Sequence, residues 1–563
     1  MNSRWECVAA LLLIWTVAVY IVDPVGEFMV NDDFAYTSAL EKLSNEKTLG
    51  PTWLGPKGLG GGPALISHLL WGNLFSKVFG YTFTILRISV LVMAVMGSLA
   101  FFSLLKATNA ANWPSLWGTL TLVFNPLYFS QSFTYMTDVT FVSLIIFSFL
   151  FIHRGIEKNQ VLTIGVGLLF GLLATLTRQF GILIAFAFII ACVIHPGGRQ
   201  FGYRKAFVMA LTIIGAPWIG FEYFLYYVGS TPLTEHKLFH DMFNYPWAMG
   251  FPDYLFFLMV QASQNILGYT AFLVSPVIGL LYKQYFRHSG LKYFFIFTTL
   301  LFIALEVGML SGVFTLPILL TGNVIFNLGL GPILLKDIYI LGINRMTTLP
   351  VEVYYIFVWW SVLSLGLILP LVWKRIREIS KMIIRSVDNC SFLSCLTLIF
   401  ILMYAGTISL ASIRDRYMIP LCAMLIVFLF SCSSRLRNFK FSVRSSAPAA
   451  GALILIAFFS VSATHDFMAL KRSQAQALNY LTQDLKVSPN HIDGGFEFNG
   501  YHCFSKDFHP KEGKSWWWVD REDYVITLGN ISGYETVRRF PFRRIIGPDG
   551  SIHILKPLVY GEQ

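Results

Sequence analysis

The chain has 563 residues, of which 55% are hydrophobic and only 13% charged, and its mean hydropathy is +0.61. A soluble globular protein carries about 25% charged residues, so this composition excludes an ordinary cytosolic enzyme. The net charge is +11, but Lys and Arg occur in short clusters between apolar segments, which is typical of membrane topology rather than of nucleic-acid binding. Apolar runs of about 20 residues, each long enough to cross a bilayer, recur as far as residue 463 and predict a polytopic α-helical membrane protein.

The first apolar run follows Arg4, and no small-residue cleavage site precedes Asp23. It is therefore predicted to be a retained signal anchor and the first span. With the N-terminus in the cytoplasm, the loops that fall inside carry nearly all of the Lys and Arg of the membrane region, and this asymmetry sets the predicted orientation. About thirteen spans are predicted from run length, near residues 8–22, 83–105, 114–130, 138–152, 161–176, 180–195, 206–228, 255–282, 292–312, 352–373, 389–411, 417–432 and 448–463.

The polarity of the chain increases after the last predicted span. Residues 1–463 are predicted to form the membrane domain, which includes an outer loop with juxtamembrane helices at 23–82. Residues 464–563 are predicted to form a small α+β extracytoplasmic domain, because a helical stretch precedes short β-type runs separated by turn residues. The helical stretch is 467–485, and the β-type runs lie at 491–498, 524–528 and 551–555.

Three arginines break the charge rule, because they lie in short turns between apolar runs on the predicted outer side. They are Arg178, Arg414 and Arg416. Ionisable residues at membrane depth are costly unless they are paired or face a wet cavity, so each is a candidate functional residue. A structural salt bridge or a contact with lipid headgroups is the alternative for each of them.

Acidic residues gather on the same predicted side. Asp32 and Asp33 follow the first span directly, and Asp138 opens the fourth. Helix capping is the alternative interpretation for all three, but a cap needs only one of the adjacent pair. Adjacent carboxylates repel, so one can be held at a raised pKa, as a general acid or base requires.

These residue types suit one kind of chemistry. Arginine forks bind phosphate oxygens bidentately, and a carboxylate can take a proton from an acceptor hydroxyl or amine. The pattern predicts a site for a membrane-embedded donor with a phosphate leaving group. Asn323, in a Gly- and Asn-rich stretch, is predicted to lie in an interfacial segment that lines the cavity.

The sequence also resembles a known family. The segment Asp32-Asp33-Phe34-Ala35-Tyr36 after the first span looks like the opening of the GT-C glycosyltransferases, and within them like the protein O-mannosyltransferase and lipid A aminoarabinose transferase group. Four further segments are similar to motifs of that group in the same order: residues 62–65, 79–87, 136–139 and 415–420.

This resemblance implies an integral membrane glycosyltransferase that uses a polyprenyl-phosphate-linked sugar and inverts the anomeric centre. It places the protein in the cell inner (cytoplasmic) membrane, with its site on the outer face. Asp32 is implied as the general base, with Asp33 and Asp138 positioning it. The implied donor-phosphate ligands are Arg178, Arg414, Arg416 and, more weakly, Lys57, and the implied cavity residues are Tyr36 and Tyr417 with Asn323.

Several points stay open. Residues 58–62 are glycine-rich where relatives often carry a His-Pro-Pro type sequence, so the acceptor (a lipid, a glycan or a protein) and the sugar are not predicted. No resident cofactor is implied, although an acidic pair can hold a divalent cation. The alternative functions are a transporter or flippase for lipid-linked saccharides, which usually has two matched halves, and a ligase for such saccharides.

Overall fold

The computed structural model describes most of the chain. The described residues are 3–46, 65–227, 250–254, 266–286, 294, 296, 298–300, 324–330, 351–385, 391–410, 414–432, 436, 443–505, 508–509, 514–515, 517–519 and 521–558. Lys57, Asn323 and most of the predicted span 292–312 lie outside them.

The described part is mostly helical. Its α-helices with defined bounds are α1 (Arg4–Val22), α2 (Asp33–Glu46), α3 (Ile66–Phe79), α4 (Phe83–Ala107), α5 (Asn112–Val123), α6 (Pro126–Gln131), α7 (Thr137–Glu157), α8 (Val161–Thr175), α9 (Leu183–Ile194), α10 (Pro196–Phe201), α11 (Tyr203–Ala210), α12 (Ala216–Tyr227), α13 (Tyr269–Leu273), α14 (Ser275–Phe286), α15 (Val351–Arg385), α16 (Phe392–Leu410), α17 (Met418–Ser431), α18 (Val443–Asn479) and α19 (Phe496–Cys503). Short 3-10 helices lie at Gln179–Ile182, Asp415–Tyr417 and Pro489–His491, and π-helical turns at Leu211–Gly215, Phe326–Leu330 and Tyr480–Asp484.

Six helices of the described part are long and apolar enough to cross a bilayer, judged by length and composition. A multi-pass membrane protein is thereby confirmed, while the count of thirteen spans and the orientation remain predictions. The six are Arg4–Val22, Phe83–Ala107, Thr137–Glu157, Tyr203–Phe224, Phe392–Leu410 and Ser446–Asp484, and shorter apolar helices cover Val161–Thr175, Gln179–Ile194 and Tyr355–Pro370.

One predicted span is not a single helix. The run 114–130 is divided between α5 and α6, because the side chain of Asn125 accepts a hydrogen bond from the backbone N–H of Leu127 at 3.0 Å. This contact caps a new helix, and Pro126 follows at its first position, where the missing N–H costs nothing.

The last predicted span continues into the C-terminal region, which is called the outer region because it is predicted to lie outside the membrane. Residues 448–463 and 467–485 were expected as separate elements, and this expectation is wrong: α18 covers both in one 37-residue helix, which a π-helical turn extends to Asp484. The apolar pattern ends near residue 463, but nothing there breaks the helical backbone. The predicted domain boundary therefore falls inside a helix.

A four-stranded sheet packs on the C-terminal half of α18. Its strands are β1 (Ile492–Asp493), β2 (Tyr524–Thr527), β3 (Tyr534–Phe542) and β4 (Gly550–Pro557), in the order β1-β2-β4-β3. The β1–β2 pair is parallel, and the other two pairs are antiparallel. Sequence analysis missed β3, in which Phe542 is the only buried residue. It overestimated β1, since most of 491–498 lies outside the strand and α19 begins at Phe496.

The loop after α1 is held by a buried arginine of α4. Arg87 donates from Nη1 to the carbonyl of Phe28 at 2.7 Å, from Nε to that of Pro24 at 3.1 Å, and from Nη2 to that of Gly26. Its guanidinium also lies over the Phe28 ring. These contacts fix the chain segment that leads to Asp32.

Candidate active site

An ion pair joins the start of α2 to the turn before α17. Nη2 of Arg416 lies 3.0 Å from Oδ2 of Asp32, although 384 residues separate the two in sequence. The side chain of Asp32 is 23% exposed, whereas that of Arg416 is 10% exposed. The carboxylate is therefore the partner that an incoming molecule can reach.

A second, more deeply buried pair lies beside it. Nη1 of Arg178 lies 2.6 Å from Oδ1 of Asp138 and 3.3 Å from the hydroxyl of Thr137. Met136 is the N-cap of α7, so Asp138 lies in the first turn of the helix and is not its cap. The capping alternative for Asp138 is thus not what the structure shows.

Tyr417 connects the two pairs. The Cζ atoms of Arg178 and Arg416 lie 4.8 Å and 5.9 Å from the centre of its ring, within the range of a cation–π contact. Arg416 also interacts electrostatically with Asp138 as well as with Asp32. The predicted acids and bases from four distant segments therefore form one connected cluster.

The carboxylate of Asp33 has a different environment from that of Asp32. Its carboxylate is buried, and Oδ2 accepts a hydrogen bond from the backbone N–H of Tyr135 at 3.2 Å, which belongs to another segment rather than to its own helix. Burial raises the pKa of Asp33 to about 7. Repulsion from Asp32 was expected to be the cause, but it contributes less than burial does.

His68 supports the same backbone segment from α3. Its Nε2 lies 3.1 Å from the carbonyl oxygen of Tyr135 and its Nδ1 lies 3.2 Å from the hydroxyl of Thr140. A carbonyl can only accept, so the proton is on Nε2 and Thr140 donates to Nδ1. Burial lowers the pKa of His68 to about 4, which keeps the ring neutral at physiological pH.

Asp415 organises the turn between the two candidate arginines. Its Oδ1 accepts from the backbone N–H of Arg416 at 2.7 Å, and its Oδ2 accepts from that of Ile325, also at 2.7 Å. The side chain is fully buried. Asp415 thus ties the turn to the segment at 324–330, which belongs to the stretch that was predicted to line the cavity.

The other predicted site residues are placed as follows. Tyr36 is buried and interacts electrostatically with Asp32 and Arg416. Arg414 is exposed, unlike Arg416. Within the described residues, no group of three His, Cys, Asp or Glu side chains could hold a metal ion.

Sequence analysis missed His68, and it included Asp415 in the motif at 415–420 without giving it a role. Asp415 carries a signal that could have been used, because an acid between two membrane-depth arginines is itself unusual. His68 carries a weaker signal, since a lone histidine in an apolar helix is compatible with simple packing. Only the fold shows that it supports Tyr135 and, through it, Asp33.

The comparisons with known proteins bear on one part of this cluster. Residues 63–219 match the sequence family described as dolichyl-phosphate-mannose-protein mannosyltransferase. This segment contains Asp138 and Arg178 but neither Asp32 nor Arg416. A search of curated proteins finds no match.

Two crystal structures of ArnT from Cupriavidus metallidurans are similar to the chain. The form bound to undecaprenyl phosphate is 12% identical to this chain with a TM-score of 0.41, and the alignment covers 99% of both chains. The apo form is 12% identical with a TM-score of 0.42, and its alignment covers 98% of this chain and 97% of the ArnT chain.

The family match confirms the resemblance to GT-C glycosyltransferases that the motifs indicated. With the apolar helices of the described part, it supports a membrane glycosyltransferase of the GT-C class.

The raised pKa of Asp33 has a consequence for stability. The folded state binds the proton of Asp33 more tightly than the unfolded state does, where an aspartate has a pKa of about 4. Its contribution to the free energy of unfolding is therefore greatest below about pH 4, falls as the pH rises to about 7, and is constant above that.

We accordingly expect Asp33→Asn to raise the thermal unfolding midpoint in detergent more at pH 8 than at pH 5. Asparagine keeps an oxygen that accepts from the Tyr135 N–H, so the change removes mainly the charge. Asp253→Asn, at an exposed carboxylate, is the control and should shift the midpoint equally at both pH values. Equal shifts for Asp33→Asn would contradict the prediction.

Proposed function

We propose that the protein is a glycosyltransferase that moves a sugar from a polyprenyl-phosphate carrier to a lipid, glycan or protein acceptor at the outer face of the cell inner membrane. The donor class is supported by the description of the matching family, which names a dolichyl-phosphate-linked sugar. The cluster of arginines and carboxylates supports the same chemistry independently.

The observation that carries the proposal is the Asp32–Arg416 pair. Among the three predicted carboxylates, Asp32 alone combines partial exposure with an arginine partner, because the side chains of Asp33 and Asp138 are buried. A general base has to be ionised and within reach of the proton that it takes. Arg416 engages Oδ2, and Oδ1 would take the proton.

In the proposed step, Asp32 removes the proton from the acceptor hydroxyl or amine. The acceptor atom attacks the anomeric carbon as the bond from that carbon to the phosphate oxygen breaks. The electron pair of that bond leaves with the polyprenyl phosphate, and attack from the opposite side inverts the anomeric centre. Negative charge grows on the phosphate, so cations placed there stabilise the transition state.

Arg416 is suited to that role. Its Nε is buried and has no hydrogen-bond partner among the described residues, so the guanidinium keeps a donor while Nη2 binds Asp32. An unsatisfied buried donor is costly, and a phosphate oxygen would satisfy it. Arg178, which is paired with Asp138, contacts the same Tyr417 ring and would add positive potential.

The direct test supplies the purified full-length protein in nanodiscs with radiolabelled polyprenyl-phosphate sugars and cell-envelope extract. Release of polyprenyl phosphate together with labelled acceptor is expected, and proton NMR of the product should show inversion. Movement of the labelled lipid across vesicle bilayers with no release of phosphate would overturn the proposal and favour the flippase.

A further inference from the structure

A buried ion pair of the outer region contacts the turn that carries the acidic motif. Oε1 of Glu497, on α19, accepts a hydrogen bond from Nζ of Lys471 at 2.8 Å and another from the backbone N–H of Asn31 at 3.0 Å. Only 4% of Glu497, 2% of Lys471 and 3% of Asn31 is exposed. Lys471 supplies the counter-charge that a buried carboxylate requires.

Asn31 has an unusual backbone conformation. Its φ is +51°, in the left-handed region, where asparagine is better tolerated than most other side chains. Its side-chain oxygen accepts from Nδ2 of Asn327 at 2.8 Å, and the turn is closed by a bond from the N–H of Asp33 to the carbonyl of Val30 at 3.1 Å. The backbone N–H and the side chain of Asn31 are therefore both fixed from outside the turn.

The orientation of this turn sets both carboxylates that follow it. Asp32 is directed to Arg416 and Asp33 to the backbone of Tyr135. A rotation of the backbone at Asn31 would move both carboxylates together. The bond from Asn31 to Glu497 opposes such a rotation.

Other contacts keep α19 on the first turn of α2. The ring of Phe34 packs edge-on against Phe496, with centroids 5.2 Å apart. A Cβ added at Gly500 would lie 2.6 Å from the ring of Phe34, so only glycine allows this approach. Farther along the same helices, the hydroxyl of Tyr501 donates to Glu41 at 2.8 Å.

We propose that Glu497, held by Lys471, is a positioning residue for the catalytic turn and that the outer region thereby completes the active site. Glu497 acts through Asn31 and does not touch the substrate. This inference rests on the proposed function for its effect on turnover. Its effect on the backbone of the turn does not depend on that function.

The test uses the full-length protein with Glu497→Ala, and Tyr501→Phe as the matched control. The control removes a hydrogen bond between the same two helices without touching the turn. Because a displacement of about 1 Å can cost about 100-fold in rate, we expect Glu497→Ala to lower kcat by about that factor while the donor KM stays unchanged. Tyr501→Phe should leave both constants close to those of the parent.

A double variant tests whether Glu497 acts by positioning the turn or only by packing. The double change of Glu497→Gln with Lys471→Met keeps an oxygen that accepts from Asn31 and leaves no buried charge, so it should recover most of the kcat lost in Glu497→Ala. If Glu497→Ala does not fold, Glu497→Asp, which keeps the charge but shortens the reach to Asn31, takes its place with the same expectations.

Hydrogen–deuterium exchange of the peptide over residues 29–36 provides a readout that needs no activity. We expect faster exchange in Glu497→Ala and unchanged exchange in Tyr501→Phe. Unchanged exchange and unchanged kcat in Glu497→Ala would overturn the inference. If the parent protein transfers no sugar, the proposed function fails, and the exchange alone decides the positioning role: faster exchange supports it, and unchanged exchange overturns it.

Discussion

Asp32→Asn is expected to lower sugar transfer by about 100- to 10,000-fold, the range that a general base contributes. Asparagine has nearly the same shape but cannot take the acceptor proton at neutral pH. The measurement is the rate of polyprenyl phosphate release by the purified protein, with size-exclusion chromatography to show that the variant is folded and inserted.

Asp23→Asn is the matched control for this change. Asp23 lies nine residues earlier, in the same outer loop, and its carboxylate is also near an arginine, with Nη1 of Arg472 at 3.6 Å from Oδ2. Its side chain is 52% exposed, so its loss should change the rate little. Full activity of Asp32→Asn would remove Asp32 from the role of base.

The second large effect is expected at the buried pair of Asp138 and Arg178. Asp138→Asn leaves the guanidinium buried without its counter-charge, and the loss of one partner from a buried pair costs about 3–5 kcal/mol. We expect a marked fall in the thermal unfolding midpoint, together with loss of transfer. Asp138→Leu combined with Arg178→Met should recover part of the stability but none of the activity.

The control for the buried pair is the exposed ion pair of Arg521 and Asp523, which are 3.0 Å apart. Arg521→Gln should alter stability by less than about 1 kcal/mol, because water and side-chain entropy offset an exposed ion pair. If Asp138→Asn is as stable as the parent, the pair does not have the buried character that the structure describes. If the double apolar variant transfers sugar, Arg178 is not needed by the donor.

Much of the candidate site could be predicted from the sequence because charged residues are rare in this chain. An arginine in a short turn between apolar runs is conspicuous, as is an acidic pair directly after a span, and topology alone places both on one side of the membrane. Asp32, Asp138, Arg178 and Arg416 were selected in this way, and the structure brings these four together.

The partners could not be predicted, because they depend on contacts across hundreds of residues. Neither the contact of Asp32 with Arg416 nor that of Asn31 with Glu497, which are 384 and 466 residues apart, leaves a local pattern. The different environments of the adjacent Asp32 and Asp33 were equally hidden. One is partly exposed and the other is buried, because the turn that leads into α2 directs the two side chains toward different neighbours.

The sequence by itself determined that this is a helical membrane protein with a charged cluster at one mouth, since hydropathy and charge are properties of each segment and need no partners. Only the tertiary structure decided which carboxylate is exposed, which arginine binds it, and that α18 continues unbroken into the outer region to bring Lys471 and Glu497 to the catalytic turn. The physical reason is that burial and ion pairing depend on what packs against a side chain, and this is fixed only when distant segments meet.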